Sequence, residues 1–372
     1  MQVIDYLKTN GLEALKEELG IGYVDYPDFV VLNYSQIDSP KNHPIVKECR
    51  SLILDKHSWN VLSRTFDRFM NHHEDMNRDS FDISKAVCFD KIDGSLIPFW
   101  YNPYAGKHQF ATRSMAFAEG NITFGGSETF NDLIPNAFGI PELSKEFLES
   151  LPKDMTYVFE FVSPKTRIVT PYKEYALYFL SARNTGTGIE VWGDEWDTTY
   201  EMLKVGIPAL RKPNMYRFGS LEEIIQAMKG LGPTDEGYVC AIQNSDGSIW
   251  RIKIKNPVYL AISKRRGNGL THSSICELVW ENDEGEYLGY FPEDQGLFDP
   301  YIEARKLIFT DLEVLWEKYK DIENQKDFAL AVKGYPVCHF LFARKNGRSI
   351  EDHVKGMTGN AKEKLLVSYL PG

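Results

Sequence analysis

Near residue 257 the hydrophobic pattern of this chain changes period, and that change limits its fold more than any other feature. Upstream, short apolar runs between polar turns read as strands: "DFVVLNYSQ", "RSLILDKHSWNVLSRTF", "AVCFDKIDGSLIPFWY", "HQFATR", "YVFEFVS", "RIVTPY", "YALYFLSARN", "YVCAIQ" and "IWRIKIK". Helical patterns there are few: the start "MQVIDYLKTNGLEALKEELG", residues 143–151, and "SLEEIIQAMKGL". Strands with few, irregularly placed helices predict an α+β core of antiparallel sheets, not a doubly wound fold. Downstream the period is helical. In "DPYIEARKLIFTDLEVLWEKYKDI", Ile308, Leu312, Leu315, Trp316 and Tyr319 recur at helical spacing, with Asp299-Pro300 as the start. "SIEDHVKGMTGNAKEKLLVSYL" reads the same way. We expect a domain over 1–256, with an N-terminal α/β extension over about 1–80, and a smaller all-α domain over 257–372.

Several classes are excluded by what the chain lacks. No apolar run reaches the roughly 18 residues of a membrane span. The start carries acids early and has no hydrophobic region, so no signal peptide is expected. The five cysteines (Cys49, Cys88, Cys240, Cys276, Cys338) are scattered without Cys-x-x-Cys. That predicts a reducing compartment, the cytoplasm by default, with no disulfide framework and no structural zinc. The net charge of −11 does not exclude a polyanionic partner, because binding follows local potential. It predicts a confined basic cleft instead, and basic residues are grouped in "WRIKIKN" and "ISKRRGNG".

One lysine stands inside a strongly apolar run, "VCFDKIDGSLIPFW". Asp-Gly between apolar segments is a hairpin signal, which would make Lys91 a solvated residue at a turn. Alternatively the flanking runs bury their strands and hold Lys91 in a cleft as a nucleophile. Further along, "YVFEFVSP" sets Glu160 between two phenylalanines; it either alternates outward to water or needs a partner, since a buried unpaired carboxylate is costly. In "TDEGYVCAI", Glu236-Gly237 opens a strand. In "WRIKIKN", alternation puts Arg251, Lys253 and Lys255 on one face, and the "QNSDGS" turn would bring Glu236 near those lysines.

Lys-x-Asp-Gly, an apolar-flanked Glu, Glu-Gly before a strand and Lys-x-Lys, in that order, form the layout of the covalent nucleotidyltransferases. Within that superfamily the chain resembles the RNA ligase 1 family of T-even-type bacteriophages. The likeness spans residues 31–260 and includes "ECRSLILD", "DRFMN", "KIDGSL", "FEFVSPKTRIV" and "EGYVCAI" followed by "RIKIK". The C-terminal region is similar only in length, position and helical character. The resemblance implies an antiparallel-sheet nucleotidyltransferase (ligase adenylation) domain followed by an all-helical RNA-specificity domain. It implies an ATP-dependent RNA ligase joining 5′-phosphate and 3′-hydroxyl ends through a lysine–AMP intermediate, with Mg2+ or Mn2+. Cleaved tRNA is an implied substrate, and a monomer is expected.

The resemblance also distributes roles. Lys91 is the nucleophile. Glu160 accepts from the ribose hydroxyl, and Glu236 positions metal or phosphate. Lys253 and Lys255 bind the α-phosphate and, by repulsion, help to neutralise Lys91. A free lysine near pKa 10.4 is less than about a tenth of a percent neutral at pH 7, so burial and nearby cations must lower that pKa. Arg50 lies near the ribose and phosphates, Arg68 on the triphosphate, and Arg113 at a further basic position. Leu180 and Val239 sandwich the adenine, and Gly94 admits the nucleotide to the backbone. Arg68 and Arg113 replace expected lysines, and Met70 an expected aromatic. The metal-binding acids of the helical domain map onto "ENDEGEY", giving Asp283, Glu284 and Glu286. A DNA ligase or capping guanylyltransferase would share the motifs but append a β-barrel. A non-catalytic RNA-end-binding protein would tolerate their loss.

Overall fold

The computed structural model describes the chain except residues 36–37, 123–126, 267–269, 283 and 371–372, with backbone alone at 264–266, 286, 290, 351 and 355. The chain divides into two compact units, Met1–Leu260 and Ala261–Gly372; the sequence had suggested 256/257.

In the first unit a helix over Gln2–Leu19, interrupted at Gly11, buries Val3, Leu7, Leu15 and Leu19. They pack on a sheet of β1 (Ile21–Asp25), β2 (Phe29–Tyr34), β3 (Leu52–Asp55) and β4 (Val61–Ser63), through Val30, Leu32, Leu52 and Leu54. The other face of β2 and β3 is buried too, with Phe29, Val31 and Ile53 against Trp100. That is why "FVVL" is continuously apolar rather than alternating.

Nine more strands follow: β5 (Met70–Asn71), β6 (Val87–Asp90), β7 (Ser95–Asn102), β8 (Lys107–Phe110), β9 (Met155–Val162), β10 (Ala176–Asn184), β11 (Met215–Tyr216), β12 (Gly237–Gln243) and β13 (Ile249–Lys255). They form one sheet in the order β10-β9-β7-β8 and another in the order β11-β6-β12-β13-β5. All pairings are antiparallel except β13 with β5. The four-stranded sheet packs Phe159, Phe161 and Phe179 into a core with Trp196, Tyr200 and Leu203. The five-stranded sheet buries Cys88, Cys240, Ile252 and Ile254 against Ile224 and Met228.

One open alternative is settled and four expectations are corrected. The Asp-Gly of "DKIDGS" closes no hairpin: β6 and β7 belong to different sheets, and Lys91–Gly94 is the passage between them. "RIVTPY" is not a strand, because the Val169 and Thr170 amides both donate to Asp93 Oδ2 at 2.8 Å instead of to a ladder. A helix over Asp194–Gly206 was not expected. It buries Trp196, Tyr200 and Leu203 at helical spacing and opens with Asp194, Glu195 and Asp197, charges that suit a helix N-terminus. The long C-terminal helix begins at Gln295, before Asp299-Pro300. Finally, Cys88 and Cys240 are bonded as a disulfide. They are direct cross-strand partners in β6 and β12, although 152 residues apart in sequence.

The second unit buries Phe298, Ile308, Leu312, Phe328, Phe340 and Leu366. Among the described residues from Pro257 onward, every regular element is helical. No described helix is long and apolar enough to cross a membrane.

Candidate active site

A cavity of about 310 Å³ within the first unit takes its walls from all three sheets. The five-stranded sheet contributes a row in register: Asn71, Lys253, Val239, Phe89 and Met215 are successive partners across five strands. Directly opposed residues share a sheet face, so the row runs from charged to apolar across one surface. Gly237 begins β12 at φ 121°, and a Cβ there would lie 2.3 Å from Ile254 O. Only glycine fits this approach, and it leaves Glu236 at the edge of the row.

Lys91 lines the cavity, and its Nζ lies 2.6 Å from Glu236 Oε2. Lys255 holds the other oxygen, Oε1, at 2.7 Å. Glu236 is 5% exposed and sits beneath both cations without lining the cavity itself. Burial pushes its carboxyl up, but the two ammonium groups outweigh burial and leave it below the usual range. For Lys91, burial pulls the pKa down, yet Glu236 and then Glu160 more than reverse this, so it is raised. That corrects the expectation that surrounding cations already neutralise Lys91: the carboxylates Glu236 and Glu160 outweigh them, and Lys255 is itself engaged by Glu236.

Lys253 behaves differently. Burial first, then Arg50, Lys91 and Lys255, bring its pKa down to about 7. Among the described residues no carboxylate or hydrogen bond holds its ammonium; it rests over the Phe69 ring at 5.2 Å. Among the described residues Arg50 is also without an ion pair or side-chain hydrogen bond, with Nε buried and unbonded and its guanidinium 5.0 Å from Phe69 and 5.7 Å from Phe66. Burial lowers its pKa. Unpartnered cations over aromatic rings, in a cavity of this size, call for an anion.

Glu160, on β9, turns into the cavity while Phe159 and Phe161 point to the core. Burial, only partly offset by Lys91 and Arg50, pushes its carboxyl up to about 7. Leu180 is the extra residue at a register shift in β10, between Phe179 and Ser181. The bulge turns it out of core alternation, so it lines the cavity together with Val239.

The remaining expected residues divide. Arg113 lines the cavity and donates to Asn33 Oδ1 at 3.1 Å, with its guanidinium over Tyr34. Arg68 does not line it; its guanidinium lies 4.1 Å from the Tyr34 ring, and Tyr34 faces the cavity in its place. Met70 is 4% exposed, and neighbouring Phe69 supplies the aromatic surface. Gly94 does line the cavity, yet its tightest approach is to β9: a Cβ there would stand 2.4 Å from Phe161 O. Of the metal candidates in the second unit, Asp283 and the Glu286 side chain lie outside the described residues. Glu284 is buried against Arg305 at 2.5 Å, which claims its carboxylate. Among the described residues no cluster of three His, Cys, Asp or Glu side chains is placed to hold a metal.

Four contributors were not expected. Trp192 and Trp196 line the cavity from "VWGDEW", a stretch whose only sequence signal is two tryptophans one helical turn apart. Arg251 lines it as well, locked to Glu190 at 2.6 Å. Tyr259 donates to Asp93 Oδ1 at 2.7 Å, tying the helix after β13 to the Lys91–Gly94 passage.

Antiparallel sheets enclosing a lysine, an anion-binding rim and an apolar slot define a nucleotidyltransferase-type domain. The chain belongs to the RNA ligase family, whose model of the T4 RNA ligase 1 type matches residues 48–259, more than half of the chain. It is 30% identical over 321 residues to an Autographa californica nuclear polyhedrosis virus protein named as a bifunctional polynucleotide kinase/RNA ligase. That match covers 82% of this chain and 44% of the viral protein, so the chain spans less than half of that relative. An RNA ligase of Rhodothermus phage RM378 is 22% identical, with 80% of this chain and 81% of the phage protein covered. Among solved structures, an archaeal ATP-dependent RNA ligase aligns at a TM-score of 0.45 and 10% identity, covering 100% of this chain and 79% of the other.

Proposed function

We propose that this chain is an ATP-dependent RNA ligase that joins 5′-phosphate and 3′-hydroxyl RNA ends through a covalent Lys91–AMP intermediate. The observation that carries this is the pairing, in one nucleotide-sized cavity, of a lysine with two unpartnered cations, Lys253 and Arg50. Phosphates occupy the cationic end beside Lys91, Lys253, Lys255 and Arg113. The ribose meets Glu160 and Arg50, and the base slides between Leu180 and Val239.

In the first step the Lys91 lone pair forms an N–P bond with the α-phosphate. The bond from phosphorus to the α–β bridging oxygen breaks, its electron pair leaves on pyrophosphate, and the amine's surplus proton passes to water. The RNA 5′-phosphate then displaces Lys91 at the same phosphorus. Finally the 3′-hydroxyl attacks the activated 5′ end, and AMP departs. Only a neutral amine attacks, so Lys91 must first leave its pairing with Glu236.

Magnesium suits the residues present. Glu160 is a hard oxygen donor lining the cavity, and Mg2+ is usually held by one or two carboxylates together with phosphates and waters; Glu236, held by Lys91 and Lys255, would join it only after releasing them. When bound it neutralises triphosphate charge. Cleaved tRNA is the proposed natural substrate, favoured by the family resemblance and by the kinase–ligase pairing in the viral relative's name. A DNA ligase or capping enzyme is disfavoured because helices follow β13.

The test is end joining. A single-stranded RNA with a 5′-phosphate and 3′-hydroxyl should be sealed with ATP and magnesium, passing through an adenylylated 5′ end. GTP should not replace ATP, and a 5′-hydroxyl RNA should not react. Sealing of nicked duplex DNA alone, or covalent labelling by GTP alone, contradicts the reading.

A further inference from the structure

Beyond the apolar end of the nucleotide cavity lies a second cavity of about 320 Å³. Phe89, Trp192 and Trp196 line both, so one layer of aromatic side chains separates them. The register fixes their relation. In the row Asn71–Lys253–Val239–Phe89–Met215, Lys253 marks the phosphate end and Met215 lines only the second cavity. Neighbouring strands lie about 4.8 Å apart, so Met215 stands one strand beyond Phe89 along the axis of the bound nucleotide.

On the functional reading above, the base lies over Val239. A purine is joined to ribose through N9, and the opposite edge carries the N6 amino group. That edge therefore points along the row toward Phe89 and, past it, toward Met215. The RNA end cannot be the occupant of the second cavity, because its 5′-phosphate must reach the α-phosphorus at the Lys253 end.

The partition is unevenly held. Trp196 is fixed, its indole N–H donating to Leu180 O at 2.9 Å and its ring stacked on Tyr200 at 9°. Trp192 is half-buried. Among the described residues its indole N–H has no partner, and its ring contact is an edge contact with Phe89 at 6.5 Å. Trp192 is the less restrained of the two panels.

We propose that the second cavity is an annex of the nucleotide site that takes an apolar substituent on adenine N6, so that Lys91 accepts N6-substituted AMP from the corresponding triphosphate. The bonds made and broken are those of the first step above; pyrophosphate is again the leaving group.

The experiment measures the Lys91 adduct by intact mass and single-turnover rate, with ATP and with N6-benzyl-ATP. The unmodified protein should form both adducts. Met215→Trp fills the annex without touching the nucleotide cavity, and should lower the use of N6-benzyl-ATP relative to ATP at least about tenfold. Trp192→Ala opens the partition and should raise the same ratio. No adduct from N6-benzyl-ATP where ATP reacts, or ratios unmoved by both substitutions, overturns the annex alone. No adduct from ATP itself overturns the ligase reading and the annex with it.

Discussion

Lys91 and Glu236 form an ion pair at 2.6 Å in a site where Glu236 also holds Lys255 at 2.7 Å. The Lys91 amine is thus kept charged by a buried carboxylate. A raised lysine pKa means the reactive neutral amine grows only as pH climbs into the alkaline range. Removing the carboxylate charge removes the main upward push. Glu236→Gln should therefore shift the pH profile of adenylylation toward lower pH while its plateau falls. Single-turnover rates across pH check this, and a profile shifted to higher pH contradicts it.

Lys253 gives a second pH signature. Its pKa near 7 leaves it mostly neutral at pH 8 in the empty site, whereas a bound phosphate favours its ammonium form. Binding at pH 8 of α,β-methylene-ATP, which cannot adenylylate Lys91 and so releases no proton from it, should therefore take up protons. Calorimetry in buffers of different ionisation enthalpy reads that uptake directly. It should disappear in Lys253→Met, and proton release in the unmodified protein contradicts the assignment.

The legible part of this site was what strand alternation and motif order expose. Glu160, Lys253 and Lys255 are placed by period-2 strands and Lys91 by the passage between β6 and β7, and all line one cavity. What stayed hidden depends on register or on departures from period. Leu180 enters the cavity only through a bulge, and Cys88 meets Cys240 only because β6 and β12 pair. The Asp-Gly signal left the setting of Lys91 open because a turn signal carries no information about which sheet each flanking strand joins. The charge of Lys91 was misjudged for a related reason: which of its neighbours is nearest is a matter of tertiary distance.

Arg251 and Glu190 are 10% and 6% exposed, and each oxygen of the carboxylate accepts from the guanidinium. Arg251→Met strands a buried carboxylate, which typically costs about 3–5 kcal/mol. Urea unfolding should show a loss of that order. A loss under about 1 kcal/mol, the usual worth of an exposed pair, contradicts the picture of a desolvated pair.

The cross-strand disulfide is checked by counting thiols. Alkylation of the unfolded chain before reduction should modify Cys49, Cys276 and Cys338 alone. After reduction all five cysteines should react. Full alkylation without reductant contradicts the Cys88–Cys240 bond.

The account rests on the Lys91 amine as the atom that takes AMP. Incubation with ATP and magnesium, followed by peptide mapping of the modified protein, tests it most directly. The account predicts a single adenylyl group on the peptide bearing Lys91, absent from Lys91→Ala. An adenylyl group on any other residue, or one that persists in Lys91→Ala, would contradict it.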